Sequence, residues 1–232
     1  MAEGTVLQGI NNIYTVESGS DIFECRIKGK LLSEDIKTYN PLAPGDKVLI
    51  EKDQHQPASA LITERLNRRN KFVRFNKKRN VPQILAANVD LILCISSVSS
   101  PPFRPRFIDR VLVSAHNEIP VAIVINKTDL GITGQDEHRI KLFGKIGYKV
   151  FRTSAENNTG ITRLVSYITG KRVVLIGQSG VGKSSICNAI SPDLGQKIGE
   201  VNQVLRHAAA HIRARPLGDR PETTPRPAAT CL

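Results

Sequence analysis

Gly177-Gln178-Ser179-Gly180-Val181-Gly182-Lys183-Ser184 decides the fold of this 232-residue chain. The stretch meets the pattern G-x-x-x-x-G-K-[ST] at every defined position. It follows an apolar run at 172–176 that reads as a buried strand and precedes 185–190, which reads as a helix. Strand, glycine-rich turn and helix make a cradle for phosphate. Glycines let the backbone approach the ligand and direct its N–H groups inward, and the helix N-terminus adds a favourable dipole. Lys183 is expected to reach the β- and γ-phosphates and to serve catalysis, and Ser184 to ligate Mg²⁺ through its hydroxyl. Ser185 completes the expected binding set.

Working back from the loop, the residues at 89–95 and 121–125 are nearly continuous apolar runs, as in parallel strands covered on both faces. Between them 106–116 carries Phe107, Ile108, Val111, Leu112 and Ala115 at helical spacing. A helix at 136–146, a strand at 149–152 and a helix at 161–168 continue the alternation, which predicts an α/β domain.

At the C-terminal end of the second apolar strand stands Asn126-Lys127-Thr128-Asp129. Ligand-binding residues cluster at that end of the strands in open α/β sheets. A motif of this form selects guanine: Asp129 would accept from guanine N1–H and the 2-amino group, donors that adenine does not offer together. Asn126 would tie the motif to the phosphate loop, and the stem of Lys127 would cover the base. Thr153-Ser154-Ala155 follows the strand at 149–152, where a backbone N–H could meet guanine O6. The expected nucleotide is therefore GTP or GDP with magnesium.

The first 63 residues are slightly acidic and hold short β-leaning segments at 4–10, 13–16, 22–27 and 47–50, separated by Gly, Asn, Asp and Pro turns. They read as a small barrel, with a size that suits an OB-type module. Residues 65–79 contain Arg65, Arg68, Arg69, Lys71, Arg74, Lys77, Lys78 and Arg79 without a carboxylate, interleaved with Phe72 and Phe75. That mixture suits phosphate contact plus base stacking, or else a solvated linker. The formal net charge of +12 agrees with a polyanionic partner. No apolar run approaches the length of a membrane span, and Met1-Ala2-Glu3-Gly4 does not open a signal peptide, so no membrane association and a cytoplasmic protein are expected. Cys25, Cys94, Cys187 and Cys231 are scattered without metal-ligand spacing and read as ordinary thiols.

The order of the motifs is the discriminating observation. Asn126–Asp129 and Ser154-Ala155 precede the phosphate loop, whereas a Ras-like domain runs the other way. With the barrel, the basic run and Phe107-Ile108-Asp109-Arg110, the chain resembles the ribosome small-subunit-dependent GTPase A family. The resemblance implies a circularly permuted P-loop GTPase domain behind an OB-like barrel. It implies an enzyme that hydrolyses GTP while bound to the small ribosomal subunit and its rRNA late in maturation, working as a monomer. The corresponding domain expectation is an RNA-binding barrel at 1–63, a basic linker at 64–82, the permuted GTPase domain at 83–205 and an irregular tail at 206–232.

The family pattern continues with a G-R-H-T-T switch, a D-x-P-G motif and a C-terminal zinc domain. Here Arg206-His207-Ala208-Ala209-Ala210 overlies the switch with alanines for the threonines, leaving His207 as the candidate water-orienting residue. Asp219-Arg220-Pro221-Glu222 retains only D-x-P, and no zinc site is expected, so the C-terminal part reads as truncated or replaced. These losses bear on turnover rather than binding, because the switches supply much of the γ-phosphate chemistry. A non-hydrolysing GTP- and RNA-binding module therefore stands as the alternative, with a P-loop ATPase or kinase disfavoured by Asn126-Lys127-Thr128-Asp129.

Overall fold

Val6 in β1 (Ala2–Ile10), Tyr14 and Val16 in β2 (Ile13–Ser18), Phe23 and Cys25 in β3 (Asp21–Ile27), Val48 and Ile50 in β4 (Lys47–Lys52), and Ala60 and Ile62 in β5 (Ser59–Arg65) form one buried cluster. The side chains alternate inward and outward, so two-residue spacing gives each strand one apolar face. These strands close a barrel in the order β1-β2-β3-β5-β4, with β1 pairing back onto β4. That is the OB-like barrel expected at the N-terminus, completed by β5, which the sequence pattern did not reveal. The computed structural model describes residues 1–29, 39–53, 56–78, 80–115, 118–190 and the backbone of 207–213. The chain forms two compact units, Met1–Val89 and Asp90–Leu232.

The stretch expected to be a linker, 64–82, belongs to the first unit, and its described residues are structured. Its basic run ends β5 and supplies β6 (Lys71–Asn76), which pairs antiparallel with β7 (Val81–Ala87). Asn40 Nδ2 donates to the Ile84 carbonyl at 2.9 Å, and the Ala87 N–H to the Pro44 carbonyl at 2.9 Å, holding the hairpin to the barrel's 39–46 segment. Charge density concealed the alternation. Phe72 is buried and Phe75 exposed, so only the second can stack on a base. Arg68 is likewise withdrawn from any phosphate role. Its Nε and a terminal nitrogen donate to the fully buried Asp46 at 2.6 and 2.7 Å, and it reaches the Pro41 carbonyl at 3.1 Å. A buried carboxylate needs such a partner, since a lone charge there would cost several kcal/mol (roughly 3–5).

In the second unit β8 (Leu91–Ser97), β9 (Val121–Asn126), β10 (Lys149–Arg152) and β11 (Arg172–Gln178) run parallel, in the spatial order β10-β9-β8-β11. Helices α1 (Pro105–Ala115), α2 (Gly134–Lys145) and α3 (Ile161–Ile168) connect them, and α4 (Lys183–Ile190) follows β11. Every residue of β8 is buried, as the continuous apolar run implied. Leu93 and Ile95 pack with Val173 and Leu175 of β11, Leu164 and Ile168 of α3, and Ile186 of α4. Helix α2 is weakly apolar but well capped: Thr133 Oγ1 accepts from the Asp136 N–H at 3.2 Å, and Asp136 and Glu137 occupy the first turn.

The tail expected at 206–232 to be irregular contains a strand, β12 (His207–Arg213), antiparallel to β11. The reason lies in the sheet: β11 offers a hydrogen-bonding edge on the side away from β8, and the short 207–213 backbone pairs along it. Arg206, residues 191–200 and the Asp219–Glu222 motif lie outside the described residues. Cys25, Cys94 and Cys187 are buried and unbridged. Burial, with Glu24 second, pushes the Cys25 thiol up to about 11, and burial also raises Cys94, which suits inert core thiols. Cys231 lies outside the described residues.

Candidate nucleotide-binding site

The C-terminal ends of β11, β8 and β9 lie in register, with Gly177 beside Ile95 and Ser97 beside Asn126. The phosphate loop and the guanine motif therefore emerge from one edge of the sheet. Close packing at the loop's start requires Gly177: a Cβ there would stand 2.6 Å from the Ile95 carbonyl oxygen. Gly182 is more constrained still. Its φ of +90° is a conformation that side chains disfavour, and a Cβ would lie 2.3 Å from Asn126 Nδ2.

That second contact identifies the organising residue. Asn126, almost fully buried, donates through Nδ2 to the Val181 carbonyl at 2.9 Å. Its Oδ1 accepts from Thr153 Oγ1 at 3.2 Å and from the Ala155 N–H at 3.3 Å. One amide thus joins the guanine motif, the Thr153–Ala155 turn and the phosphate loop, across 55 residues of sequence in the longest case. The tie expected from Asn126 is present, while Thr153 as its partner was not foreseen. The signal for Thr153 was its place directly after β10.

Lys183 begins α4 and is buried, with Nζ donating to the Gly177 and Gln178 carbonyls at 2.9 and 2.8 Å. The ammonium is held inside the curve of the loop. Ser184 and Ser185 are half-buried in the first turn of the helix, Val181 is buried, and Ser179 and Gly180 are exposed at the tip. A donor-rich loop with one buried cation fits a polyphosphate, and the Ser184 hydroxyl fits an oxygen-seeking Mg²⁺. Among the described residues no group of three or more His, Cys, Asp or Glu is placed to hold a metal ion.

On the guanine side, Lys127 adopts the left-handed conformation (φ 62°) and opens a 3-10 turn at Thr128–Leu130 that presents Asp129 to solvent. Thr128 fixes this turn, its N–H and Oγ1 both donating to the Thr153 carbonyl at 3.2 and 3.1 Å. Ser154 is buried, and its Oγ accepts from the Asn157 N–H at 3.4 Å. Beside this turn Arg152 makes two hydrogen bonds to Glu137 of α2, at 2.8 and 2.7 Å. The Arg152 guanidinium holds the Glu137 carboxyl below its ordinary range, and the same hydrogen bond raises Arg152. His207 stands in β12 with its backbone opposite Gln178, the last residue of β11.

Four parallel strands with a phosphate loop after the last of them in the chain and a guanine motif earlier define a circularly permuted P-loop domain of the guanine-nucleotide class. Comparison with known proteins gives the particular family. The RsgA GTPase family matches residues 65–218 and the RsgA N-terminal domain matches residues 3–59, so the chain belongs to the RsgA GTPase family. It is 41% identical over 201 residues to the small ribosomal subunit biogenesis GTPase RsgA of Borrelia recurrentis, covering 85% of this chain and 63% of that protein. The protein of the same description from Borreliella burgdorferi strain ZS7 is 39% identical, covering 86% and 66%. Among solved structures, YjeQ from Thermotoga maritima matches with a TM-score of 0.65 at 32% identity, covering 85% of this chain and 66% of that one. YloQ, described as a circularly permuted GTPase, matches with a TM-score of 0.59 at 28% identity, covering 83% and 65%. The chain spans about two thirds of the length of these relatives, from 63 to 66%. The family boundary assigns the β6–β7 hairpin to the GTPase region, although it packs within the unit that holds the barrel.

Proposed function

We propose that this chain binds GTP and GDP with Mg²⁺ and hydrolyses GTP in late maturation of the small ribosomal subunit, acting as a cytoplasmic monomer that contacts rRNA. The observation that carries the nucleotide reading is the Asn126 hydrogen bond to Val181, which sets guanine and phosphate recognition at a fixed separation. In the reaction, water attacks the γ-phosphorus, the bond to the β–γ bridging oxygen breaks, and GDP and phosphate leave. Lys183 binds the phosphates and offsets negative charge on them, while loop N–H groups hold them in line. Mg²⁺, when bound, adds positive charge at the β- and γ-oxygens, and Ser184 is the side chain that would hold it. Asp129 and Lys127 hold the base. His207 is the water-orienting residue of this proposal, supported by the register that sets it opposite Gln178.

The test is single-turnover hydrolysis of labelled GTP by the chain, with and without small ribosomal subunits. Faster phosphate release with subunits is expected, slowed in His207→Ala. Tight GTP binding without release under either condition would leave a binding module, and equal competition by ATP and GDP would overturn the guanine assignment.

For the rRNA contact, the support is the β6–β7 hairpin, which exposes Lys71, Lys77 and Lys78 around an exposed Phe75. If these three cations meet phosphates of a single strand, replacing all three with Gln should flatten the log–log salt dependence of binding by about two. Phe75→Ala should weaken binding by about 1–3 kcal/mol with the slope unchanged, since stacking releases no counterions. Binding of a small-subunit rRNA fragment at several salt concentrations checks both, and an unchanged slope in the triple variant would remove the hairpin from the interface.

A further inference from the structure

The segment that follows β8 is not accounted for by either nucleotide motif, yet it touches both. It leaves the sheet beside Asn126, where the Val98 N–H donates to the Asn126 carbonyl at 3.2 Å. Ser97, the last residue of β8, is fully buried, and its hydroxyl donates to the Pro101 carbonyl at 2.7 Å. A hydroxyl inside a protein needs a partner, and this one closes the 97–101 backbone into a turn. Ser100 in that turn is held at φ 47°, a conformation few non-glycine residues adopt without support. The turn presents two groups toward the nucleotide motifs. The Ser100 carbonyl accepts from Lys127 Nζ, and the Pro101 ring lies against the phosphate loop, with Cδ 3.3 Å from the position a Cβ on Gly180 would take.

From this geometry we propose that residues 97–101 form a positioning shelf for the guanine nucleotide, in which Ser97 fixes the turn, the Ser100 carbonyl anchors Lys127 over the base, and Pro101 backs the tip of the phosphate loop. The inference rests on the nucleotide reading above and adds residues to it. Lys127 has a long, rotamer-rich stem, and an unanchored stem would lose that freedom on meeting a base. Anchoring it in advance removes that cost from binding. The ammonium hydrogen bond is charge-assisted, so one carbonyl suffices to hold the stem extended. Ser97 and Pro101 are therefore positioning residues, and the shelf makes the base side and the phosphate side of the site move as one piece.

The experiment measures GDP affinity of the full chain with a ribose-labelled fluorescent GDP, for Ser97→Ala, Lys127→Met and the double variant. Lys127→Met keeps an apolar stem and removes the anchored ammonium at a half-exposed site, so it tests the anchor without disturbing the fold. Each single variant should lose about tenfold in affinity, on the scale of the ordering cost of one long side chain. The double variant should lose clearly less than the product of the two single losses, because both act through the Lys127 anchor. A merely structural Ser97 would instead give losses that multiply. Unchanged affinity in Lys127→Met, or multiplicative losses in the double variant, would overturn the shelf, and should Ser97→Ala not fold, Lys127→Met decides alone. Failure of the unmodified chain to bind labelled GDP would instead overturn the nucleotide reading itself.

Discussion

Lys183→Ala is expected to abolish tight binding of GDP and GTP while leaving the fold in place. The ammonium belongs to the buried floor of the phosphate loop, hydrogen-bonded to the carbonyls of Gly177 and Gln178. Its bonds to phosphate oxygens would each contribute about 1.5–3 kcal/mol as interactions between charged partners. Two such bonds correspond to a loss of roughly 10² to 10⁴ in affinity. Truncation also takes the donor from two loop carbonyls, so a modest fall in the thermal midpoint without ligand accompanies it. The informative quantity is therefore the rise in midpoint produced by GDP, which depends on binding to the native state alone. Under millimolar GDP the unmodified chain should show a clear rise and the variant none. A variant that keeps the rise at the same GDP concentration would show that phosphate is held elsewhere.

How much of this site the sequence disclosed depends on whether a residue acts through local or distant contacts. The phosphate loop was legible because its chemistry is encoded in eight consecutive residues, and the strand and helix flanking it read correctly from apolar spacing. The parallel strands were legible for a related reason: burial on both faces leaves an unbroken apolar run, as in β8. The bond of Thr153 to Asn126 and the role of Ser97 were not. Each rests on a single hydroxyl whose partner, Asn126 Oδ1 or the Pro101 carbonyl, is set by the tertiary register of the strands and the turn after β8. The basic run misled in the opposite direction. Its charge was read as solvation or phosphate contact, yet Arg68 neutralises a carboxylate buried in the barrel unit and Phe72 is itself buried. Burial, which composition does not report, separates those residues from Lys71, Phe75, Lys77 and Lys78. Strand β12 escaped notice because Ile212 is its one strongly strand-favouring residue beside Ala208, Ala209 and Ala210, and its pairing follows from the edge that β11 offers.

The base preference should follow a single side chain, and Asp129→Asn is the change that reverses it. Asp129 is exposed at a turn held from behind by Thr128, whose N–H and hydroxyl both donate to the Thr153 carbonyl, so the carboxylate is presented by a fixed support. Guanine would meet it with two donors, N1–H and the 2-amino group. An asparagine offers one acceptor and one donor, so one bond is lost and a donor faces a donor. With about 1.5–3 kcal/mol for the lost hydrogen bond to a charged group and about 1–3 kcal/mol for the donor left facing a donor, GDP affinity should fall by roughly 2.5–6 kcal/mol. Xanthine carries a carbonyl where guanine has its 2-amino group, and it matches the asparagine edge with one donor and one acceptor. Xanthosine diphosphate should therefore bind the variant more tightly than GDP does, while the unmodified chain prefers GDP. Stability is expected to change by no more than about 0.5 kcal/mol, because the position is exposed and the two side chains are nearly the same size. Competition of labelled GDP by unlabelled GDP, xanthosine diphosphate and ADP, on both proteins, measures the exchange. A variant that still prefers GDP over xanthosine diphosphate would show that Asp129 does not read the base, and the guanine edge would then have to be read from the Ser154–Ala155 side of the site.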